Sequence, residues 1–209
     1  TGSTPLPVYE ALRSRVEGLD VSRVRGFALD EYVGIDPNHP ESYRSVITRE
    51  VVEPLGLNPD LIHTPNGALE TISHAGEDYE RAIAEAGGID LQILGIGTSG
   101  HIGVNEPGAS FASRTRVKTL IEDVPMHCIT QGLGTILGAK RLVLLAFGEG
   151  KAAAAAGAVE GPVTSSLPGS AIQLHPHVTV VVDEAAASQL AHADFYRYVA
   201  ANKPAWQGL

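Results

Sequence analysis

Cysteine, methionine and tryptophan are almost missing from this chain: each occurs once, as Cys128, Met126 and Trp206. A single cysteine excludes an intrachain disulfide framework and a cysteine metal cluster, and it fits a reducing compartment. No apolar run approaches the roughly 20 residues that a membrane-spanning helix needs. No secretory leader is visible, so a cytoplasmic location is expected. Positive charge is also scarce, with 15 Lys and Arg against 24 Asp and Glu and a formal net charge of -9. Bulk charge of that sign excludes nucleic acid and anionic membranes as partners. An anionic ligand would have to be held by local devices, namely backbone N–H groups and a few placed cations. An initiator methionine is lacking too, and a phosphate-loop pattern stands at the first residue with no strand before it. The expectation is that an N-terminal strand is missing from the sequence.

The 209 residues suffice for one domain with a substantial core, and 44% of them are hydrophobic. Short apolar runs alternate with helical patterns. Strands are expected at Val24–Leu29, Leu91–Ile96, Arg141–Phe147 and Val178–Val182. Helices are expected at Tyr43–Val52, Gly76–Ala86, Gly150–Val159 and Ala185–Ala200. Ser42 reads as the cap of the first helix and Pro54 as its stop. Gly87 reads as the C-terminal signal of the second. The alanines Ala152–Ala156 read as a tightly packed helix. Such alternation predicts an α/β fold with a mostly parallel sheet and right-handed crossovers. Sites in such folds lie at the carboxyl ends of strands.

Five stretches could carry chemistry. Thr1-Gly2-Ser3-Thr4-Pro5 opens a helix with hydroxyls and free N–H groups that can hold a phosphate, and Pro5 suits a first helical position. Taken alone, an ordinary capped helix start is the better account. Asp30-Glu31 follows a strand and could supply a base for proton abstraction beside a carbonyl; a loop with one capping residue is the plainer account. Gly95-Ile96-Gly97-Thr98-Ser99-Gly100-His101 continues to Asn105-Glu106-Pro107 after the strongest strand. Its glycines permit close backbone approach to a ligand. His101 can move protons near neutral pH, with Glu106 placed to orient it. Here function outweighs a satisfied turn histidine. Ser113-Arg114-Thr115-Arg116-Val117-Lys118 packs three cations into five positions, either a solvated basic face or an anion site. Lys151 follows a strand at a helix start, where the dipole disfavours it unless an anion lies between. No usual metal-ligand spacing is present, and His175-Pro176-His177 reads as a rigid turn.

Taken together these segments resemble the glucosamine-6-phosphate deaminase/isomerase family. The likeness rests on Asp30-Glu31-Tyr32-Val33-Gly34, His39-Pro40-Glu41-Ser42-Tyr43, the Gly97 to Pro107 loop and Ser113 to Lys118. Thr1 to Pro5, Lys151 and Gln173-Leu174-His175-Pro176 fit as well. The likeness runs from the first residue to about Glu184. It implies a Rossmann-like three-layer fold without a dinucleotide, and conversion of glucosamine 6-phosphate and water to fructose 6-phosphate and ammonium. No metal or organic cofactor is implied. His101, supported by Glu106 and Ser99, would open the pyranose ring, and Asp30 would carry a proton between C2 and C1. Gly2, Ser3, Thr4 and Lys151 would hold the phosphate, and Gly95, Gly97 and Gly100 would shape the substrate loop. Arg116 and Lys118 match residues that bind the effector N-acetylglucosamine 6-phosphate between subunits of allosteric, homo-oligomeric members.

Three departures from the family pattern stand out. Ser99 replaces an aspartate or asparagine of many members, a segment near residues 123–125 is short and lacks a phosphate-binding arginine, and the strand expected before Thr1 is absent from the sequence; separately, Ala109 stands where allosteric members often have serine. A 6-phosphogluconolactonase shares the general architecture, but Ile-Gly-Val-Asn-Glu-Pro after His101 and the intact Asp30-Glu31-Tyr32 favour the deaminase. A non-catalytic sugar-phosphate sensor would be expected to have lost Asp30, His101 and Glu106. Nothing in the residues separates glucosamine from galactosamine 6-phosphate.

Overall fold

The computed structural model describes residue 2 and residues 4–120 and 127–207. Thr1, Ser3, the segment near 123–125 and the expected N-terminal strand fall outside them. Three sheets occur among the described residues. In the first, β4 (Gln92–Gly95), β7 (Leu142–Ala146) and β8 (Val178–Val182) run parallel in the order β4-β7-β8. These strands lie where the apolar runs place them, since strands covered on both faces read as continuous Val/Leu/Ile stretches. Leu94, Leu142 and Leu144 are fully buried, and they pack with Ile96, Ile102, Leu133 and Ile136 into the main core.

A shorter parallel pair joins β1 (Gly26–Phe27) to β3 (Ile62–His63). The third sheet is antiparallel, in the order β2-β6-β5: β2 (Asp30–Tyr32), β6 (His127–Thr130) and β5 (Arg116–Thr119). The sheet structure is therefore parallel in its core and antiparallel beside it. Pairing aligns Asp30 with Thr130 and Thr130 with Arg116, and in the next row Tyr32 with Cys128 and Cys128 with Lys118. Directly opposed residues share a face, so Asp30, Thr130 and Arg116 form one cross-strand row.

The helices follow their signals with corrections in four of them. Helix α1 (Leu6–Arg13) begins one residue after Pro5, whose carbonyl accepts from Val8 and Tyr9 N–H; Pro7, not Pro5, occupies the first turn. Helix α2 (Tyr43–Ile47) is capped by Ser42, whose hydroxyl accepts from Ser45 N–H at 3.1 Å. It passes through a wide π turn, Thr48–Val52, into α3 (Glu53–Leu55), and stops at Gly56 with φ 64° rather than at Pro54. The widened turn precedes a proline that has no N–H to give to the i→i−4 pattern. Helix α4 (Ile72–Glu85) ends before Gly87 as expected but starts four residues before Gly76, which lies inside it where the helix packs closely on Thr115 O; it is followed by the short α5 (Leu133–Leu137) and the alanine-rich α6 (Ala152–Val159). Ala152, Ala154, Ala155 and Ala158 of α6 are buried, as a tightly packed helix requires. The last helix, α7 (Ala193–Ala201), starts eight residues later than its pattern suggests. The reason is local. Asp183 takes Ala186 N–H, and the Glu160 carboxylate takes the N–H groups of Ala191 and His192, so the chain is pinned in turns before the helix can begin.

The antiparallel sheet is tied to α4 by one carboxylate. Glu80 accepts from Thr115 N–H and from the hydroxyls of Thr115 and Thr135, and it pairs with Arg114. Burial opposes ionisation of Glu80, but these donors outweigh it and hold its carboxyl below the usual value. His175 also proves structural: Nε2 donates to Ala139 O at 2.7 Å, while Nδ1 accepts from His177 N–H at 3.0 Å, giving the rigid turn expected there.

Candidate functional site

Two adjacent carboxylates sit on β2, and strand alternation sends them to opposite faces. Both are buried, Asp30 to 3% exposure. Glu31 is committed to structure. Its carboxylate accepts from the N–H groups of Tyr32, Tyr43 and Arg44 at 2.9–3.0 Å, which caps α2 with a negative charge where the helix dipole favours it. Asp30 lies on the other face, in the row with Thr130 and Arg116. Tyr43 and Tyr79 lie close enough for its charge to act on them. Burial first, and the negative charge of Asp30 second, push both phenols far above their usual range, so both stay protonated. The Tyr79 hydroxyl donates to Ala28 O at 2.8 Å and to His63 O at 3.1 Å. Tyr43 stacks on Tyr32 with ring centres 5.1 Å apart.

The loop after β4 assembles a hydrogen-bonded trio. His101 Nδ1 lies 2.9 Å from Ser99 Oγ and 3.1 Å from Glu106 Oε1, and Ser99 Oγ donates to Glu106 Oε2 at 3.0 Å. An ionised carboxylate only accepts, and the serine hydrogen is already committed to it. Nδ1 must therefore carry the ring hydrogen of a neutral His101, leaving Nε2 with the lone pair. The ring lies flat over Gly97, where a Cβ would come within 2.0 Å of Cε1. Gly100, at φ 80°, would place a Cβ 2.5 Å from the Leu167 side chain.

This loop is docked onto the antiparallel sheet. Val104 N–H donates to Thr130 Oγ1 at 3.1 Å, and Asn105 Nδ2 donates to Gln131 O at 2.9 Å and to Ile102 O at 3.0 Å. Gln131 in turn binds Leu29 O through its N–H and Ala28 O through its amide. The histidine loop, from the parallel sheet, and Asp30, from the antiparallel one, are thus joined through Thr130 and Gln131. Thr4 lies against the carboxyl end of β4, with Cβ and Oγ1 3.6 Å from where a Cβ would stand on Gly95. Gly2, two residues before Thr4, has a positive φ of 74°, in the left-handed region that favours glycine. Lys151 is the N-cap of α6 and the last residue of a 3-10 turn, Glu149–Lys151, in the connection that follows β7.

The basic cluster is not one feature. Arg114 pairs with Glu80. Arg116, half-buried, donates to Asn105 Oδ1 at 2.9 Å and to Arg114 O at 3.2 Å. Lys118 lies one row farther along the same face of β5. Thr130, Gln131 and Tyr79 went unread in the sequence because nothing marks β6 or the aromatic cluster beneath β2. Asn105 is visible in the motif, but its partners are not. Among the described residues no group of three or more His, Cys, Asp or Glu side chains could hold a metal ion.

The family model of glucosamine-6-phosphate isomerases and 6-phosphogluconolactonases matches residues 1–181. The chain belongs to this family. Within it, a glucosamine-6-phosphate deaminase of Streptomyces avermitilis is 58% identical over 226 aligned positions, covering 100% of this chain and 87% of the relative. A glucosamine-6-phosphate deaminase of Bifidobacterium longum is 56% identical over 234 positions with the same coverage. Among solved structures, a monomeric glucosamine-6-phosphate deaminase superposes with a TM-score of 0.87 at 36% identity, covering 90% of this chain and 85% of its own. A 6-phosphogluconolactonase from Leishmania guyanensis reaches a TM-score of 0.72 at 21% identity, a likeness of fold alone.

Proposed function

We propose that the chain converts glucosamine 6-phosphate and water to fructose 6-phosphate and ammonium. The observation that carries this is the Ser99–His101–Glu106 trio, docked on the strand pair that bears the buried Asp30. Relatives above 50% identity along the whole chain are deaminases, whereas the lactonase likeness is one of fold. The lone-pair Nε2 of His101 takes the proton from the anomeric hydroxyl and returns one to the ring oxygen, opening the pyranose; Glu106 stabilises the imidazolium formed in between. Asp30, shielded from water, removes the C2 proton of the open chain and delivers it to C1, while the aldehyde oxygen gains a proton and the amine nitrogen loses one. The resulting C2 imine is hydrolysed, releasing ammonium and leaving the ketose. Separating the base for ring opening from the base for isomerisation lets each keep its own environment. Gly2, Ser3, Thr4 and Lys151 bind the phosphate in this reading, with the substrate loop shaped by Gly95, Gly97 and Gly100.

Regulation belongs to the same proposal at a finer level. N-acetylglucosamine 6-phosphate would bind at Arg116 and Lys118, in an assembly of several copies. A cytoplasmic location follows from the single cysteine and the phosphorylated substrate; among the described residues no helix is long and apolar enough to cross a membrane. The test is ammonium release from glucosamine 6-phosphate, with and without N-acetylglucosamine 6-phosphate. Ammonium matched by fructose 6-phosphate supports the reading. Hydrolysis of 6-phosphogluconolactone without any ammonium would replace it.

A further inference from the structure

Arg116 stands on β5, outside the catalytic loop, yet its guanidinium reaches into that loop. Its Nη2 donates to Asn105 Oδ1 at 2.9 Å. Asn105 is completely buried, and both its donors and its oxygen are engaged: Nδ2 donates to Ile102 O and Gln131 O, while Oδ1 accepts from Arg116. Beside Arg116 in register, Thr130 takes the N–H of Val104. Adjacent side chains of one cross-strand row therefore grip consecutive residues, Val104 and Asn105, and the next residue is Glu106. A buried amide oxygen that loses its donor is costly to leave unmade, so the turn should shift when Arg116 is removed.

We infer that Arg116 is a positioning residue for ring opening: through Asn105 it fixes the turn that sets Glu106, and hence His101, in place. This rests on the deaminase reading for its catalytic consequence but not for its structural one. It is a basal role that needs no effector, and it assigns one half-buried member of the basic cluster to the reaction itself. The guanidinium suits the task because its fork can bind Asn105 Oδ1 and Arg114 O together, at 2.9 and 3.2 Å.

The test compares wild type, Arg116→Ala and Arg116→Lys on glucosamine 6-phosphate without any effector, alongside hydrogen exchange of the peptide spanning residues 97–107. Arg116→Ala should lower kcat roughly ten- to a hundredfold, as expected for a displaced catalytic group. KM should stay near wild type, because the proposed phosphate contacts lie on other elements. Arg116→Lys, which keeps one donor, should recover part of the loss. Exchange should quicken in residues 101–106 but not in β5. In a double-mutant cycle, Arg116→Ala should add little to Asn105→Ala, because the two act as one unit. Native kcat together with unchanged loop exchange in Arg116→Ala would overturn the inference. So would multiplicative effects in the cycle, or exchange rising equally along β5. An inactive wild type would instead defeat the deaminase reading; the loop exchange would still decide the role of Arg116.

Discussion

The parallel sheet β4-β7-β8 and the antiparallel sheet β2-β6-β5 divide the chemistry between them. The parallel sheet is built of nearly uninterrupted apolar residues, and at its carboxyl end it carries the parts proposed to meet the ring and phosphate: the His101 loop, Thr4 against Gly95, and Lys151. The antiparallel sheet is short and mixed in polarity, with buried Asp30, Glu31 and Thr130. It carries Asp30, the base proposed for the open chain. The first sheet is held by its own burial. The second depends on polar ties: Glu31 to α2, Glu80 to β5, Gln131 to the β1–β2 backbone. The proposed reaction would thus be distributed over two supports of different character, joined where Val104 and Asn105 meet β6.

The largest effect that would break this division is on the antiparallel side. Asp30→Asn should lower turnover by about a thousandfold, as expected for loss of a general base, while the melting temperature changes little. Near-native ammonium release would remove Asp30 from its role. On the parallel side, Gly97→Ala forces a methyl to within 2.0 Å of the His101 ring. The ring must move, and turnover should fall by about a hundredfold. Retained activity would show that the flat placement of the ring over the backbone is unimportant.

A smaller change sharpens the comparison. Ser99→Ala removes the hydroxyl that bridges His101 and Glu106 but leaves their direct 3.1 Å contact. Turnover should fall by about tenfold, the value of one hydrogen bond to a charged group. A thousandfold loss would mean that the serine is itself a proton carrier. Smallest for activity is Glu80→Gln, which loosens the antiparallel sheet without touching the chemistry. Denaturant titration should show about 1–2 kcal/mol of lost stability. The Glu80 carboxyl is held below its ordinary value of 4.5 in the folded state. Its stabilisation is therefore fully present above that value and is lost as pH falls through the lower folded value. The gap between wild type and Glu80→Gln should close in acid; a gap independent of pH would contradict the role given to its charge.

The same contrast explains what could be read from the residues. Strands β4, β7 and β8 announce themselves, because a strand buried on both faces is a run of Val, Leu and Ile. The loop after β4 is legible since glycine, histidine and Asn-Glu-Pro follow in fixed order. Strands β5 and β6 are not, because Arg116, Lys118 and His127 break any apolar pattern, and antiparallel pairing is set by partners distant in sequence. For that reason Arg114, Arg116 and Lys118 read as one basic cluster, although the first anchors α4 and the second grips the histidine loop. Asp30 and Glu31 likewise read as equivalent until alternation along β2 separates a buried base from a helix cap. The late start of α7 is invisible for a similar reason: it depends on Glu160, more than 30 residues upstream.

The claim that two residues on two sheets perform two separate steps is tested most directly by proton exchange at C1 of fructose 6-phosphate. The variants His101→Gln and Asp30→Asn are each incubated with fructose 6-phosphate and ammonium in heavy water, and C1 is followed by NMR. His101→Gln should still exchange the C1 proton, because the open-chain ketose needs Asp30 but not the ring-opening histidine, while forming no cyclic glucosamine 6-phosphate at a catalysed rate. Asp30→Asn should show no exchange. Exchange that persists in Asp30→Asn, or that disappears equally in both variants, would contradict the division of labour.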